Sequence, residues 1–229
     1  MGLQERGHYY DEKLAADRLR RCYEIAPPRV QQYLRAEVDH VLGSISPKDL
    51  VLDLGCGFGR IMPRLAAKGR RVVGIDTSLA SLRMAGEMLA HLHNCTLLEM
   101  NAVHLSFRDS VFDVVLCVQN GISAFHVDQR ALVCESLRLA RSGGTVLFSS
   151  YASRFWEHRL RWFELQAEAG LLGEIDYDKT GGGVIVCKDG FRATTVDSRR
   201  FTELTSGLGA CVSIEEVDQS SVFCRLLKQ

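Results

Sequence analysis

Asp53, Gly55, Gly57, Gly59 and Asp76 are the residues whose types and spacing best suit a polar ligand. The glycines follow, in a G-x-G-x-G spacing, the apolar run Leu50–Leu54, whose single polar member is Asp53. Such a run reads as a buried parallel strand, and glycines at its sharpest bend leave the main chain open to a ligand. Asp53 lies two residues before the first glycine. A carboxylate there faces a pyrophosphate badly, but it receives an ammonium group directly or through water. A second buried run, Val72–Ile75, ends in Asp76 and leads into Thr77-Ser78, a helix start. An acid at that place accepts hydrogen bonds from both hydroxyls of a ribose.

Strand, glycine turn and helix form a nucleotide-binding geometry. Sites for NAD and for S-adenosylmethionine share the ribose contact, so Asp76 does not choose between them. The glycine spacing chooses, because pyrophosphate-binding turns use G-x-G-x-x-G with a helix N-terminus aimed at the phosphates. The helix after the turn is expected over Arg60–Lys68. Pro63 sits in its first turn, where N–H groups lack intrahelical partners, and Gly69 suits a left-handed C-terminal cap.

From these residues the chain resembles the class I S-adenosylmethionine-dependent methyltransferases. Val51–Arg60 (VLDLGCGFGR) is similar to their first motif and Val72–Ser78 (VVGIDTS) to the acidic second. Asn101-Ala102 resembles the adenine-contacting third, Phe112–Cys117 the fourth strand, and Arg141–Phe148 the glycine turn into the fifth. The match covers residues 45–150 in the family's order. It implies an α/β fold: a doubly wound, seven-stranded, mostly parallel sheet with a reversed last strand, in a three-layer α/β/α sandwich. It also implies S-adenosylmethionine as cofactor and S-adenosylhomocysteine (SAH) as product. By that resemblance the cofactor is held by Asp53, Gly55, Cys56, Gly57, Gly59, Asp76, Thr77, Asn101, Ala102 and Gln119. Asn101 is a departure, since the family more often has Asp there to accept from the adenine amino group; an Asn carbonyl accepts that bond too.

The elements that must position these residues alternate strand and helix. Thr77-Ser78 caps a helix in which Leu79, Leu82, Gly86, Leu89 and His93 follow near-helical spacing, the leucines forming the apolar stripe. Strands are expected over 96–100, 111–118 and 145–149, with a helix between the last two that starts at Asp128 and stops at Gly143-Gly144. Right-handed crossovers then place a ligand beyond the carboxyl ends of the strands. Val184–Cys187 and Phe191–Thr195 flank the turn Lys188–Gly190 as a hairpin, and a helix over 198–208 follows. The runs 211–217 and 222–227 are joined too tightly to be anything but antiparallel. The resemblance makes them the sixth strand and the reversed seventh. The expected division is a helical N-terminal cap over 1–44, the cofactor-binding core over 45–150, a helix-plus-hairpin insertion over 151–195, and a C-terminal helix and strand pair over 196–229.

Composition suits a cytoplasmic enzyme. Lys plus Arg and Asp plus Glu both number 28, so no global field favours nucleic acid or an anionic membrane. No apolar run approaches the ~20 residues of a membrane helix, and the polar N-terminus is not a signal peptide. Arg6 stands where myristoylation of Gly2 needs a hydroxyl residue. The eight cysteines form no C-x-x-C pair and read as small buried hydrophobes in a reducing compartment. Convergence of three on a thiophilic substrate is the sharper alternative. His91-x-His93 has no acidic or thiol companion and reads as a solvated helix end, so no metal is expected. A monomer or homodimer is expected.

Two segments outside the core should determine the acceptor. The first holds two helices around Ala26-Pro27-Pro28, with Tyr10, Arg18, Arg20, Arg21 and Tyr23 in the earlier one and a docking face of Val30, Tyr33, Leu34, Val38, Val41 and Leu42 in the later. It is expected to act as a lid, its arginines offering bidentate partners to an anionic acceptor. The second, after the fifth strand, carries Tyr151 and Trp156, with Trp156, Leu160, Phe163 and Ala167 on one helix face. Candidate acceptor contacts are Tyr10, Arg21, Tyr23, Tyr151 and Trp156. In the Gln119–His126 stretch, His126 is the candidate general base and Asn120 a polar group near the transferred methyl. No N-P-P-[YF] or D-P-P-[YF] sequence is present, which weighs against methylation of nucleobase amines. The leading function is methyl transfer to a small molecule. The alternatives are an RNA or protein methyltransferase and a non-catalytic regulatory module that binds the cofactor.

Overall fold

A computed structural model describes Tyr9 and residues 13–229. The chain runs α1 (Ala16–Glu24), α2 (Pro28–Leu42), β1 (Leu50–Leu54), α3 (Met62–Lys68), β2 (Arg71–Asp76), α4 (Leu79–Met88), β3 (Cys95–Glu99), β4 (Phe112–Cys117), α5 (Gly121–Ala124), α6 (Gln129–Leu139), β5 (Ala140–Tyr151), α7 (Trp156–Glu168), β6 (Ile185–Val186), β7 (Arg192–Ala193), α8 (Ser198–Thr205), β8 (Ala210–Val217) and β9 (Ser221–Lys228). Seven strands form one sheet in the order β3-β2-β1-β4-β5-β9-β8. It is parallel from β3 to β5, and β9 runs antiparallel to both β5 and β8. The doubly wound sheet with a reversed last strand is therefore present. The hairpin is the separate pair β6-β7, with Ile185 opposite Ala193.

Alternation along the central strands sends side chains to two faces. Leu52, Leu54, Val73, Ile75, Val115 and Phe148 pack into one apolar cluster, and Val51, Val72, Val114, Leu116, Leu147 and Phe223 into another. Burial on both faces is why these strands read as continuous apolar runs. A third cluster lies outside the sandwich: Leu14, Cys22, Tyr33, Phe155, Trp162 and Phe191 join α1, α2, α7 and the hairpin. The N-terminal helices and the insertion thus share one core. The docking face of α2 is as expected, with Val30, Tyr33, Leu34, Val38 and Val41 buried and Leu42 packed beside them.

Four local expectations are corrected. Gly69 is extended, at φ −92° and ψ 164°, because the chain passes straight from α3 into β2 without a left-handed cap. Leu79 is 47% exposed at the first position of α4, and the buried stripe is Leu82, Ala85 and Leu89. That helix stops at Met88, so His93 lies beyond it. α6 ends at Leu139, short of Gly143-Gly144. Ala140 already pairs with Phe112, and a register shift before Val114 pairs with Thr145 absorbs the extra residues inside β5. Of the eight cysteines read as buried, Cys134 and Cys211 are exposed, the latter on β8 at the edge of the sheet, and Cys95 is half-buried; all eight are free thiols.

Candidate active site

β1, β2 and β4 end at a common edge, where a cavity of about 340 Å³ opens. Asp53, Gly55, Cys56, Gly57, Asp76, Thr77, Asn101, Ala102, Gln119, Asn120 and His126 all line it, as do Tyr23 and Tyr151. Gly59 does not line it. A methyl group at Gly59 would press on Ala85, Leu89 and Met88 at 3.2 Å, so that glycine lets α4 approach the turn. Gly55 and Gly57 have φ of +73° and +54°, a region few L-residues adopt. A Cβ on Gly55 would lie 2.5 Å from the Phe125 ring, whereas one on Gly57 would meet only the Leu19 side chain. Gly57 is thus the point where the main chain stays bare toward the cavity.

Asp76 holds the turn in shape. Its Oδ2 accepts from the Gly57 N–H and its Oδ1 from the Ser78 N–H, both at 2.8 Å. Asp53 is 2% exposed, and its Oδ2 has no hydrogen-bond partner among the described residues. Burial first, and then the charge of Asp76, pushes its carboxyl up to about 7, against the opposing charge of Arg60. Arg60 also lines the cavity, with Nη2 unpartnered and its guanidinium 4.6 Å from the centre of the Tyr23 ring. Behind it, fully buried Glu37 is likewise pushed up to about 7 by burial, with the hydroxyls of Ser149, Ser221 and Tyr33 as polar neighbours.

Asn101 is exposed, and its Oδ1 already accepts from the Val103 N–H at 3.1 Å, which leaves one lone pair for a ligand. Ala102 beside it is buried. After β4 the chain takes two consecutive left-handed residues, Gln119 at φ 55° and Asn120 at φ 64°. Such backbone costs of order 1–3 kcal/mol each and persists only when its surroundings enforce it. Here the Gln119 N–H donates to Ser149 Oγ at 2.8 Å and the Asn120 N–H to the Ser149 carbonyl at 3.2 Å. Both ends of the Asn120 amide are engaged: Nδ2 donates to the Thr194 carbonyl and Oδ1 accepts from Ser150 Oγ. Gln119 Oε1 accepts from the Tyr23 hydroxyl at 3.1 Å, leaving a buried, unpartnered Nε2. His126, also left-handed, is exposed at the rim.

The acceptor-side expectations divide. Tyr23 and Tyr151 reach the cavity; Arg21 and Trp156 do not, and Tyr10 lies outside the described residues. α1 buries Cys22 and turns its arginines outward: Arg21 is exposed and Arg20 pairs with Asp17 and Glu24. Arg18 donates to the carbonyls of Gly170 and Leu171, so it is a fastener of the helix and no partner for an acceptor. The cavity meets only later turns of α7, through Trp162, Phe163 and Gln166, so Trp156 at the helix start is out of reach. Trp162 donates Nε1–H to the Cys22 carbonyl at 2.8 Å, joining α7 to α1. Leu19, Arg60, Phe125, Trp162 and Gln166 are cavity residues the sequence reading gave no role. Arg60 follows the last glycine at once, and Gln166 is a polar residue one turn after Trp162; those two signals were readable.

A model for a methyltransferase domain matches residues 51–144. The ubiquinone biosynthesis O-methyltransferase of Nitrosomonas europaea is 34% identical over 131 residues, 56% of this chain and 52% of that protein. The 2-methyl-6-phytyl-1,4-hydroquinone methyltransferase of Synechocystis is 30% identical over 150 residues, 57% of this chain and 46% of the other. Residues 51–144 are those of a class I S-adenosylmethionine-dependent methyltransferase domain. It spans about half the length of the curated relatives it matches. The crystal structure of magnesium protoporphyrin IX methyltransferase from Synechocystis with bound SAH shares the fold, with a TM-score of 0.66 at 20% identity over 97% of this chain and 98% of that one. No helix among the described residues is long and apolar enough to cross a membrane.

Proposed function

We propose that this methyltransferase binds S-adenosylmethionine in the cavity beyond β1, β2 and β4 and transfers its methyl group to a small molecule. The observation that carries this reading is the pairing of Asp76, bonded to the Gly57 N–H, with the unpartnered buried carboxyl oxygen of Asp53 across one cavity. The residues present fit the cofactor. Asp76 would hold the ribose hydroxyls, Asp53 the ammonium group, Arg60 Nη2 the carboxylate, and Asn101 with Ala102 the adenine. When bound, S-adenosylmethionine supplies an electrophilic methyl carried on a sulfonium sulfur. The chain's own contribution is alignment and exclusion of water. Gln119 faces the acceptor with Asn120 as its brace, a role we place there and not on His126 at the rim. Leu19, Tyr23 and Trp162 close the cavity over the bare main chain at Gly57.

A non-catalytic binding module would need no room beyond the cofactor, whereas one continuous cavity here runs from Asp76 to Gln166. Equal numbers of acidic and basic residues favour a small acceptor over nucleic acid, and the free cysteines favour the cytoplasm. We keep the division into core and flanking segments, with the cap and the insertion acting as one acceptor-side unit. Calorimetry with SAH and with NAD, followed by turnover of a metabolite pool with methyl-labelled cofactor, tests the reading. Saturable SAH binding and label transfer are expected; NAD binding without SAH binding would overturn it.

A further inference from the structure

The acceptor end of the cavity is walled by Tyr23, Tyr151, Trp162 and Phe163, with the amides of Gln119 and Gln166 among them. Four aromatic rings suggest an ammonium cage, but guanidinium groups already lie against three of them. Arg60 sits 4.6 Å from the Tyr23 ring centre, and Arg159, 1% exposed, sits 4.5 Å from Tyr151 and 5.5 Å from Phe163. A further cation on these rings would meet like charge. Among the described residues, the acidic ones that line the cavity are Asp53 and Asp76, both on the proposed cofactor side.

Hydrogen bonding gives the same sign independently. An amine nucleophile brings N–H groups that need acceptors. The amide oxygens nearest the turn after β4 each already accept one bond, Gln119 Oε1 from the Tyr23 hydroxyl and Asn120 Oδ1 from Ser150 Oγ. The amide group there with no partner at all is a donor, the buried Nε2 of Gln119. The Gln166 amide, 2% exposed and hydrogen-bonded to no described residue, lines the same cavity and can present its NH₂ to it.

We propose, resting on the methyl-transfer reading above, that the acceptor is an oxygen nucleophile that arrives anionic, a carboxylate or a phenolate on a flat apolar body, oriented by Gln119 Nε2 and Gln166. A lone pair of that oxygen forms the new O–C bond while the methyl–sulfur bond breaks and its electron pair stays on sulfur. Anion and sulfonium become a neutral ester or ether and a neutral thioether. No proton moves, so the site needs no base beside the oxygen.

The test is binding of cinnamate, 4-nitrophenolate, cinnamamide and phenethylamine to the SAH-saturated protein by calorimetry, with the SAH titration recorded first. At least one anion should bind about tenfold or more tightly than both the amide and the amine, as expected for hydrogen bonds to a charged group. The comparison of cinnamate with 4-nitrophenolate separates the two kinds of oxyanion. Gln166→Leu, close in volume, should remove most of that preference; a preference it leaves intact overturns the assignment of Gln166. Tighter binding of phenethylamine, equal binding of all four, or no anion binding overturns the proposal. Failure of SAH to bind in the first titration instead overturns the cofactor reading.

Discussion

The two ends of the cavity are built in different ways. At the proposed cofactor end the bonds join near neighbours: Asp76 to the amides of Ser78 and, 19 residues away, Gly57. At the acceptor end they join distant segments. Tyr23 meets Gln119 across 96 positions, Trp162 meets Cys22 across 140, Arg18 meets Gly170 across 152, and Tyr9 meets Asp189 across 180. The bonds of the first end need only the pairing of β1 with β2, whereas those of the second need the cap and the insertion docked on each other. One end is therefore a preformed binding surface, and the other is assembled by docking and open to variation without loss of the sheet.

Deleting residues 1–24 puts the largest strain on that contrast. It removes Leu19, Cys22 and Tyr23 from the acceptor end and should abolish methyl transfer while a cooperative thermal transition survives in calorimetry. If the deletion unfolds the chain, the acceptor end is part of the core and the contrast fails. Asp76→Ala strikes the other end. It loses the ribose contacts and leaves the Gly57 amide unpaired, so the SAH dissociation constant should rise about tenfold to a hundredfold, each charge-assisted bond being worth about 1.5–3 kcal/mol. An unchanged constant would take Asp76 out of the site.

Asp53 sharpens the comparison through pH. Its carboxyl, raised from 3.8 to about 7, holds its proton more tightly folded than unfolded. Its contribution to stability is therefore present below about 4 and is lost as pH rises to about 7. Affinity for an ammonium-bearing ligand has the opposite sign and should rise through about pH 7 as Asp53 ionises. Asp53→Asn should weaken SAH about tenfold at pH 8 and flatten that rise, measured by calorimetry across pH. Glu37, also raised to about 7, adds to the stability slope with the same sign, and Glu37→Gln should lessen it in thermal melts. The smallest effect is expected for Trp162→Phe, which leaves the Cys22 carbonyl without its donor. That costs about 1–3 kcal/mol of α1 docking, read as faster hydrogen exchange in 16–24, with SAH affinity nearly unchanged.

The same contrast accounts for what was legible. The order of strands, the glycine turn and both acids were readable because period-2 apolar runs and turn chemistry are local. The turn after β4 was found as a stretch, but not the engagement of Asn120, because Thr194 and Ser150 are brought to it by the sheet. Arg21 and Trp156 were chosen by type and helical spacing. Which turns of α1 and α7 face the cavity depends on how those helices dock, and docking put Tyr23, Trp162 and Gln166 there instead.

The sequence by itself determined the class of fold, the glycine turn and the two acids that line the cavity beside it, since each is set by residues within a strand and a turn of one another. Tertiary structure alone decided that Arg60 stands between buried Asp53 and Glu37, that guanidinium groups occupy the aromatic faces, and that Gln119 keeps a free donor. Burial and partnership depend on what the rest of the chain packs against a residue, and no local pattern carries that information.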